Sequence, residues 1–280
     1  MLNNKTVTSV DGIGLDVRTF GNPEGQPILF VHGFAQSLWC WQKQFSAPEL
    51  QSFHLVAFDM RGHGRSDKPD FAAAYQSSEV WAGDVAAVID GFALENPLAV
   101  FWSYSGLVLC DYLRRYGDEA LSGINFVSAR TKVGTPAAKE MSGTLFSDLV
   151  PGFCSTDVVR REAAVRLFLE NLTEDGIPDP DFYTMLGYNL AVPPHICAAM
   201  LDRQVDNDDV LKRSSVPTLI THGDHDNSVL PLMAKHHERI ITKAELSLWP
   251  NIGHAPFYED ADRFNAELAR FASRCFKLRK

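Results

Sequence analysis

No stretch of about 18 consecutive apolar residues occurs in this chain, which leaves no candidate for a membrane-spanning helix. The opening residues Met1 to Thr6 lack the apolar core of a secretion signal, so the expectation is a cytoplasmic protein with no membrane partner. Basic residues are in deficit. Lys and Arg number 26 against 35 Asp and Glu, a net charge of −9, and nucleic-acid binding normally demands a basic face. The basic tail Arg274, Lys277, Arg279 and Lys280 reads as a solvated helix end, where cations suit the helix dipole. The five cysteines, Cys40, Cys110, Cys154, Cys197 and Cys275, are odd in number and far apart with no Cys-x-x-Cys pair. Reduced thiols and no metal site follow from that spacing. There is also no Pro/Gly/Ser-rich linker, internal repeat or low-complexity run. The 280 residues, 45% of them hydrophobic, therefore read as one core with an insertion.

What the chain does have is alternation. Lys5–Val10 and Leu15–Phe20 flank Asp11-Gly12 as a starting hairpin. Short apolar strands follow at residues 28–31, 54–58, 98–102 and 121–127, with helical stretches around 39–45, 79–92 and 107–116 between them. This rhythm implies an α/β fold with a mostly parallel, doubly wound sheet covered on both faces, its site at the carboxyl ends of the strands. After Val127 the rhythm stops. Residues 134–212 show helical pieces without strands, among them Val158–Leu172 and a stretch from Met185 to Leu201 broken by Pro193-Pro194. The alternation resumes with strands at 217–222 and 244–248 and a final helix at 260–276. The expected organisation is a core of residues 1–133 and 213–280 with a helical cap inserted at 134–212.

The most informative run is Leu98-Ala99-Val100-Phe101-Trp102-Ser103-Tyr104-Ser105-Gly106-Leu107. An apolar strand breaks at a serine and restarts at once as a helix. Such a turn projects the hydroxyl away from the backbone, and the first amides of the new helix point at whatever it attacks. Three further segments stand in order around it. His32-Gly33-Phe34 follows a strand, and Asp59-Met60-Arg61-Gly62-His63-Gly64-Arg65-Ser66 follows the next. Thr221-His222-Gly223-Asp224-His225-Asp226 and Asn251-Ile252-Gly253-His254 close the series. The glycine-rich run around Arg61 lacks the lysine and spacing of a phosphate-binding loop, and reads as a structural turn. In this order the motifs resemble those of the α/β-hydrolase superfamily over nearly the whole chain, closest to its serine esterases and cofactor-free haloperoxidase-like branch.

A serine hydroxyl needs a base within reach and a group that fixes the base's tautomer. Ser103 is the candidate nucleophile and His254, in a loop beyond a strand, the candidate base. Asp224 and Asp226 both follow the strand at 217–222, and either side chain is placed to orient the histidine. The resemblance points to Asp226, three residues after the glycine ending that strand, and leaves Asp224 as a turn residue. The amide of Tyr104 is one donor to the oxyanion, and the resemblance supplies the amide of Phe34 as the second. Asp84 and Asp111 read as exposed or capping, and His236 and His237 as part of a solvated helix face. Candidate pocket residues are Trp39, Trp102, Phe146, Leu149, Phe153, Leu167 and Phe168, suited to a hydrophobic group under a cap. The implied activity is cofactor-independent cleavage of small or medium hydrophobic carboxylic esters or lactones through an acyl-enzyme, a carboxylesterase or lactonase, with perhydrolysis as a side activity. Epoxide hydrolases and haloalkane dehalogenases use an aspartate nucleophile, whereas residue 103 is serine. A carbon–carbon bond hydrolase with the same three groups stays open, as does a non-catalytic small-molecule binding protein. Phe101 departs from the family pattern, which has a small residue two positions before the nucleophile. An aromatic ring there is expected either to crowd the turn or to be absorbed by its neighbours.

Overall fold

A computed structural model of the chain describes residues 3–279. Met1, Leu2 and Lys280, which belong to the N-terminal stretch and basic tail read above, lie outside the described residues. Eight strands form one sheet in the order β1-β2-β4-β3-β5-β6-β9-β10. They are β1 (Asn3–Thr8), β2 (Gly14–Gly21), β3 (Pro27–Val31), β4 (His54–Phe58), β5 (Leu98–Trp102), β6 (Gly123–Val127), β9 (Thr218–Gly223) and β10 (Ala244–Trp249). A separate two-stranded ribbon pairs β7 (Lys132–Val133) with β8 (Val205–Asp206). Strand β2 runs antiparallel to both β1 and β4, and every later pairing in the large sheet is parallel.

The apolar runs explain the layering. All five residues of β3, β5 and β6 and all six of β9 are buried, as expected of strands covered on both faces. Helices Ser78–Gly91, Ser105–Tyr116, Pro231–Ile240 and Ala261–Leu278 alternate with these strands. The chain leaves β3 toward β4 on one side, then returns to lay β5 on the other. The loops after β3 and β5 therefore diverge, opening a crevice at the carboxyl ends of two adjacent strands. Residues 134–204, between β7 and β8, form five helices of which the longest are Val158–Glu170 and Asp179–Leu190. The Pro193-Pro194 break separates Asp179–Leu190 from Pro194–Leu201, with Pro194 at the first turn of the second helix, where its missing N–H costs nothing.

Two readings of acidic residues and one of a histidine are corrected by burial. Asp84 and Asp111 are neither exposed nor caps: each is buried and ion-paired, Asp84 with Arg61 and Asp111 with Arg203. His237 is also buried, with Thr131 Oγ1 2.7 Å from its Nε2, while neighbouring His236 stays half-buried against Asp208. The Asp59–Ser66 segment is a braced turn. Asp59 accepts from the Ser37 hydroxyl and from the Leu38 and Arg65 amides, tying this loop to the one after β3.

Phe101 is fully buried on β5, between Val31 of β3 and Phe126 of β6. Its ring belongs to the main apolar core. Truncating a ring in such a site removes its transfer energy and leaves a cavity, so Phe101→Ala should lower stability by about 3–5 kcal/mol. Urea unfolding of the variant measures this directly, and a loss below about 1 kcal/mol would mean that the ring is not packed as described.

Candidate active site

Strand β5 delivers Ser103 at a backbone φ of +57°, a conformation that non-glycine residues rarely adopt. Two hydrogen bonds pin it to the end of β6: the Ser103 amide donates to the Val127 carbonyl at 3.0 Å, and the Arg130 amide to the Ser103 carbonyl at 2.8 Å. The following helix starts so close to the strand that Ser105 Oγ donates to the Val31 and Trp102 carbonyls. Ser103 itself is half-buried, and its hydroxyl reaches the crevice.

The loops beyond β9 and β10 bring two partners to it. His254 Nε2 lies 2.9 Å from Ser103 Oγ, and its Nδ1 lies 2.7 Å from Asp226 Oδ2. A carboxylate only accepts, so Nδ1 carries the proton and Nε2 is free to accept from the serine hydroxyl. Asp226 Oδ1 takes the amides of Ser228 and Val229, both at 2.9 Å, and His222 Nε2 stands 3.1 Å from Oδ2. Burial pushes the Asp226 carboxyl toward the protonated form. The electrostatic pull of the His254 ring and hydrogen bonds from His222 and His254 outweigh it and hold its pKa far below the carboxylate range. Asp224 is elsewhere: it accepts from the Asn251 amide at 2.7 Å as a turn residue. Glycine ends β9 because a Cβ on Gly223 would meet the Ile252 carbonyl oxygen at 2.1 Å, so the two loops close on each other. The His254 backbone is held by Trp102, whose indole donates to the His254 carbonyl, and by the Leu172 carbonyl, which accepts the His254 amide.

Across the crevice, the β3 loop presents the amide of Phe34. Neither this amide nor that of Tyr104 has a hydrogen-bond acceptor among the described residues. The orientation of the Phe34 amide follows from His32. Its Nδ1 donates to the Gly33 carbonyl at 2.8 Å and its Nε2 accepts from the Met60 amide at 3.0 Å. In a trans peptide the carbonyl and the next N–H point in opposite directions. Anchoring the Gly33 oxygen therefore turns the Phe34 N–H away from His32. The loop passes within contact of Ser103, because a Cβ on Gly33 would lie 3.1 Å from the Ser103 Cβ.

A cavity of about 630 Å³ opens over Ser103. Phe34, Trp102 and Tyr104 line its floor, and Val133, Phe146, Val150, Phe168 and Leu201 face them from residues 133–201. Four of the expected pocket residues do not line it. Trp39 is 39% exposed and packs edge-on against Phe20 and Phe45, on the far side of its loop. Leu167 is 42% exposed, pointing off its helix into solvent. Leu149 and Phe153 are buried behind the wall, Phe153 stacking its edge on Phe34 and Phe168. Phe101 does not reach the cavity either. Sequence reasoning missed His222, Gln36 and Arg130. Arg130 was signalled only by standing three residues past the end of a parallel strand, where ligand sites gather.

The comparisons with known proteins fit this geometry. The sequence profile of the alpha/beta hydrolase family matches residues 28–267. The chain belongs to that family. An esterase from Rhodococcus sp. ECU1013 is similar in structure, with 36% identity, a TM-score of 0.89, and coverage of 96% of this chain and 98% of the other. A non-heme haloperoxidase of Rhodococcus erythropolis is 26% identical over 95% of this chain and 98% of its own length. A bifunctional esterase/perhydrolase of Acinetobacter calcoaceticus is 24% identical over the same shares. The chain thus falls in the esterase and haloperoxidase-like branch of the alpha/beta hydrolases. No helix among the described residues is long and apolar enough to cross a membrane.

The buried histidines of this hydrolase predict its response to acid. Burial lowers the pKa of His32 to about 4 and that of His63, whose ring lies 4.9 Å from His32, to about 3. Below pH 6.5 the unfolded chain takes up protons that the folded chain refuses. Stability is therefore fully present above the unfolded pKa and is lost as pH falls toward 4, by about 1.4 kcal/mol per pH unit for each such histidine. The urea midpoint should drop steeply between pH 7 and pH 4.5. A flat profile would mean that these rings are hydrated.

Proposed function

We propose that the chain is a serine hydrolase that cleaves carboxylic esters through an acyl-enzyme. The observation carrying this reading is the unbroken series Ser103 Oγ, His254 Nε2, His254 Nδ1 and Asp226 Oδ2, with steps of 2.9 and 2.7 Å across the series, under two free backbone amides. Ser103 attacks the ester carbonyl while His254 Nε2 takes its proton. The Phe34 and Tyr104 amides receive the developing oxyanion, donors of a kind worth about 2.7–4 kcal/mol each. The intermediate collapses, the carbon–oxygen bond breaks, and His254 gives its proton to the departing alcohol. Water then repeats the attack on the acyl group with His254 as base, releasing the acid and restoring Ser103. Asp226 keeps the imidazole in the required tautomer. Residues 134–212 act as a cap that excludes water and shapes the pocket, and esters and lactones with a small or medium acyl part fit the cavity. Hydrogen peroxide in place of water would yield a peracid, the perhydrolase side activity that the Acinetobacter relative's name carries. A binding protein without chemistry has no use for an oriented imidazole, which disfavours that reading.

A fluorophosphonate should add once to the folded protein, on Ser103, as read by intact mass and peptide mapping. Ser103→Ala should lose both the adduct and the turnover of simple esters. Asp226→Asn should reduce kcat by about 10⁴-fold, because the wrong tautomer then faces the serine. Asp224→Asn should leave kcat within a fewfold of wild type, and the opposite ranking of the two would overturn the assignment.

A further inference from the structure

The cavity over Ser103 carries a charge that the ester chemistry does not use. Arg130 lines it and is only 8% exposed. Its guanidinium donates to the Ser142 hydroxyl and the Ser228 carbonyl, both neutral acceptors, and lies over the ring of Phe146. Five N–H donors are available on that group, and its remaining ones find no protein acceptor among the described residues. Among the described residues no carboxylate pairs with it. The other buried cations contrast sharply. Arg61 is paired with Asp84 and Asp11, Arg203 with Asp111, Arg18 with Asp16, and Lys132 with Asp206 and Asp208. Arg161 faces three carbonyls at and just beyond the end of helix Asp179–Leu190, the negative pole of a helix dipole.

A buried cation without an anion is costly, and the usual remedies are a partner charge or loss of the proton. Burial does pull the Arg130 pKa down, to about 10, yet that still leaves the group charged at neutral pH. Asp226, the acidic group whose field it feels, is engaged by His254 and His222. The surrounding wall has the same sign. Lys139 stands exposed at the rim, and no Asp or Glu lines the cavity, in a chain whose net charge is −9. Such a wall attracts anions into the crevice and offers one buried fork to hold them.

We propose that Arg130 seats a carboxylate of the substrate, so that the ester cleaved is the monoester of a short dicarboxylic acid. This rests on the serine-hydrolase reading above. The Arg130 amide bonds to the Ser103 carbonyl, and both residues line the same cavity, so the charge and the nucleophile share one space. One charge matches one carboxylate, and the apolar residues Phe34, Phe146 and Phe168 enclose the short methylene chain between the two functional groups.

The test compares monoethyl glutarate with ethyl 5-methylhexanoate, which has an isopropyl group where the first has a carboxylate. Hydrolysis is followed by chromatography of the released acid for wild type, Arg130→Gln and Arg130→Lys. Wild type should favour the anionic ester in kcat/KM by about 100-fold, the scale of a charge-assisted hydrogen bond. Arg130→Gln should bring that ratio close to one, and Arg130→Lys should retain part of it. A wild-type preference for the neutral ester, or an unchanged ratio in Arg130→Gln, would show that Arg130 merely ties loops together. Calorimetry of glutarate with Ser103→Ala separates the two readings. Saturable binding that is absent in the Ser103→Ala, Arg130→Gln double variant supports the anion seat even if neither ester is hydrolysed, in which case the hydrolase reading alone fails. No glutarate binding overturns the anion seat, whatever the turnover of the neutral ester.

Discussion

Ser103 sits at a positive φ because two backbone hydrogen bonds to the end of β6 and a close helix start leave it no other conformation. Strain of this kind persists only where the surroundings over-determine it, at roughly 1–3 kcal/mol. Here the surroundings are three neighbouring parallel strands, β3, β5 and β6, whose buried residues interlock. Everything at the site is referred to that turn. The Phe34 and Tyr104 amides flank it, and the loops after β9 and β10 converge on its open side. If β5 slipped by one residue, Ser103 would turn to the other face of the sheet and lose every partner.

Charge is arranged around this frame with a clear economy. Among the described residues of an acidic chain, four cations are buried against carboxylates and a fifth against helix carbonyls, so that each lies where it holds loops together. At the crevice the pattern is different. Asp226 is kept ionised by His254, His222 and two amides, which preserves a negative charge beneath the imidazole. Arg130 has only neutral partners and faces the cavity. The same low-dielectric setting that strengthens the first arrangement makes the second one seek an anion.

Much of the fold was legible in the residues. Apolar runs bounded by Gly, Pro and Asp mark strands well, and the hairpin at Asp11-Gly12 pairs β1 with β2 as its turn chemistry implies. The burial of charged residues was much less legible. Asp84 and Asp111 look like surface residues on helices because their partners, Arg61 and Arg203, are 23 and 92 positions away in the chain. Pocket residues were read about as poorly. Trp102, Phe146 and Phe168 line the cavity, whereas Trp39, Leu149, Phe153 and Leu167 do not. An amphipathic helix has to bury an apolar face, and its sequence does not say whether that face meets a neighbour or a void.

The sequence by itself determined which chemical groups exist, their order along the chain and the strand ends they follow. These are local matters of periodicity, turn residues and motif spacing. It also left Asp224 and Asp226 side by side in one loop, and it gave Phe101 no surroundings. Tertiary structure separates the two carboxylates, since of the pair only Asp226 meets the His254 imidazole, 28 positions later in the chain. It also absorbed Phe101 between β3 and β6 and left Arg130 without a counter-charge. Those outcomes depend on distances between segments far apart in the chain, and close packing sets such distances, not any local preference.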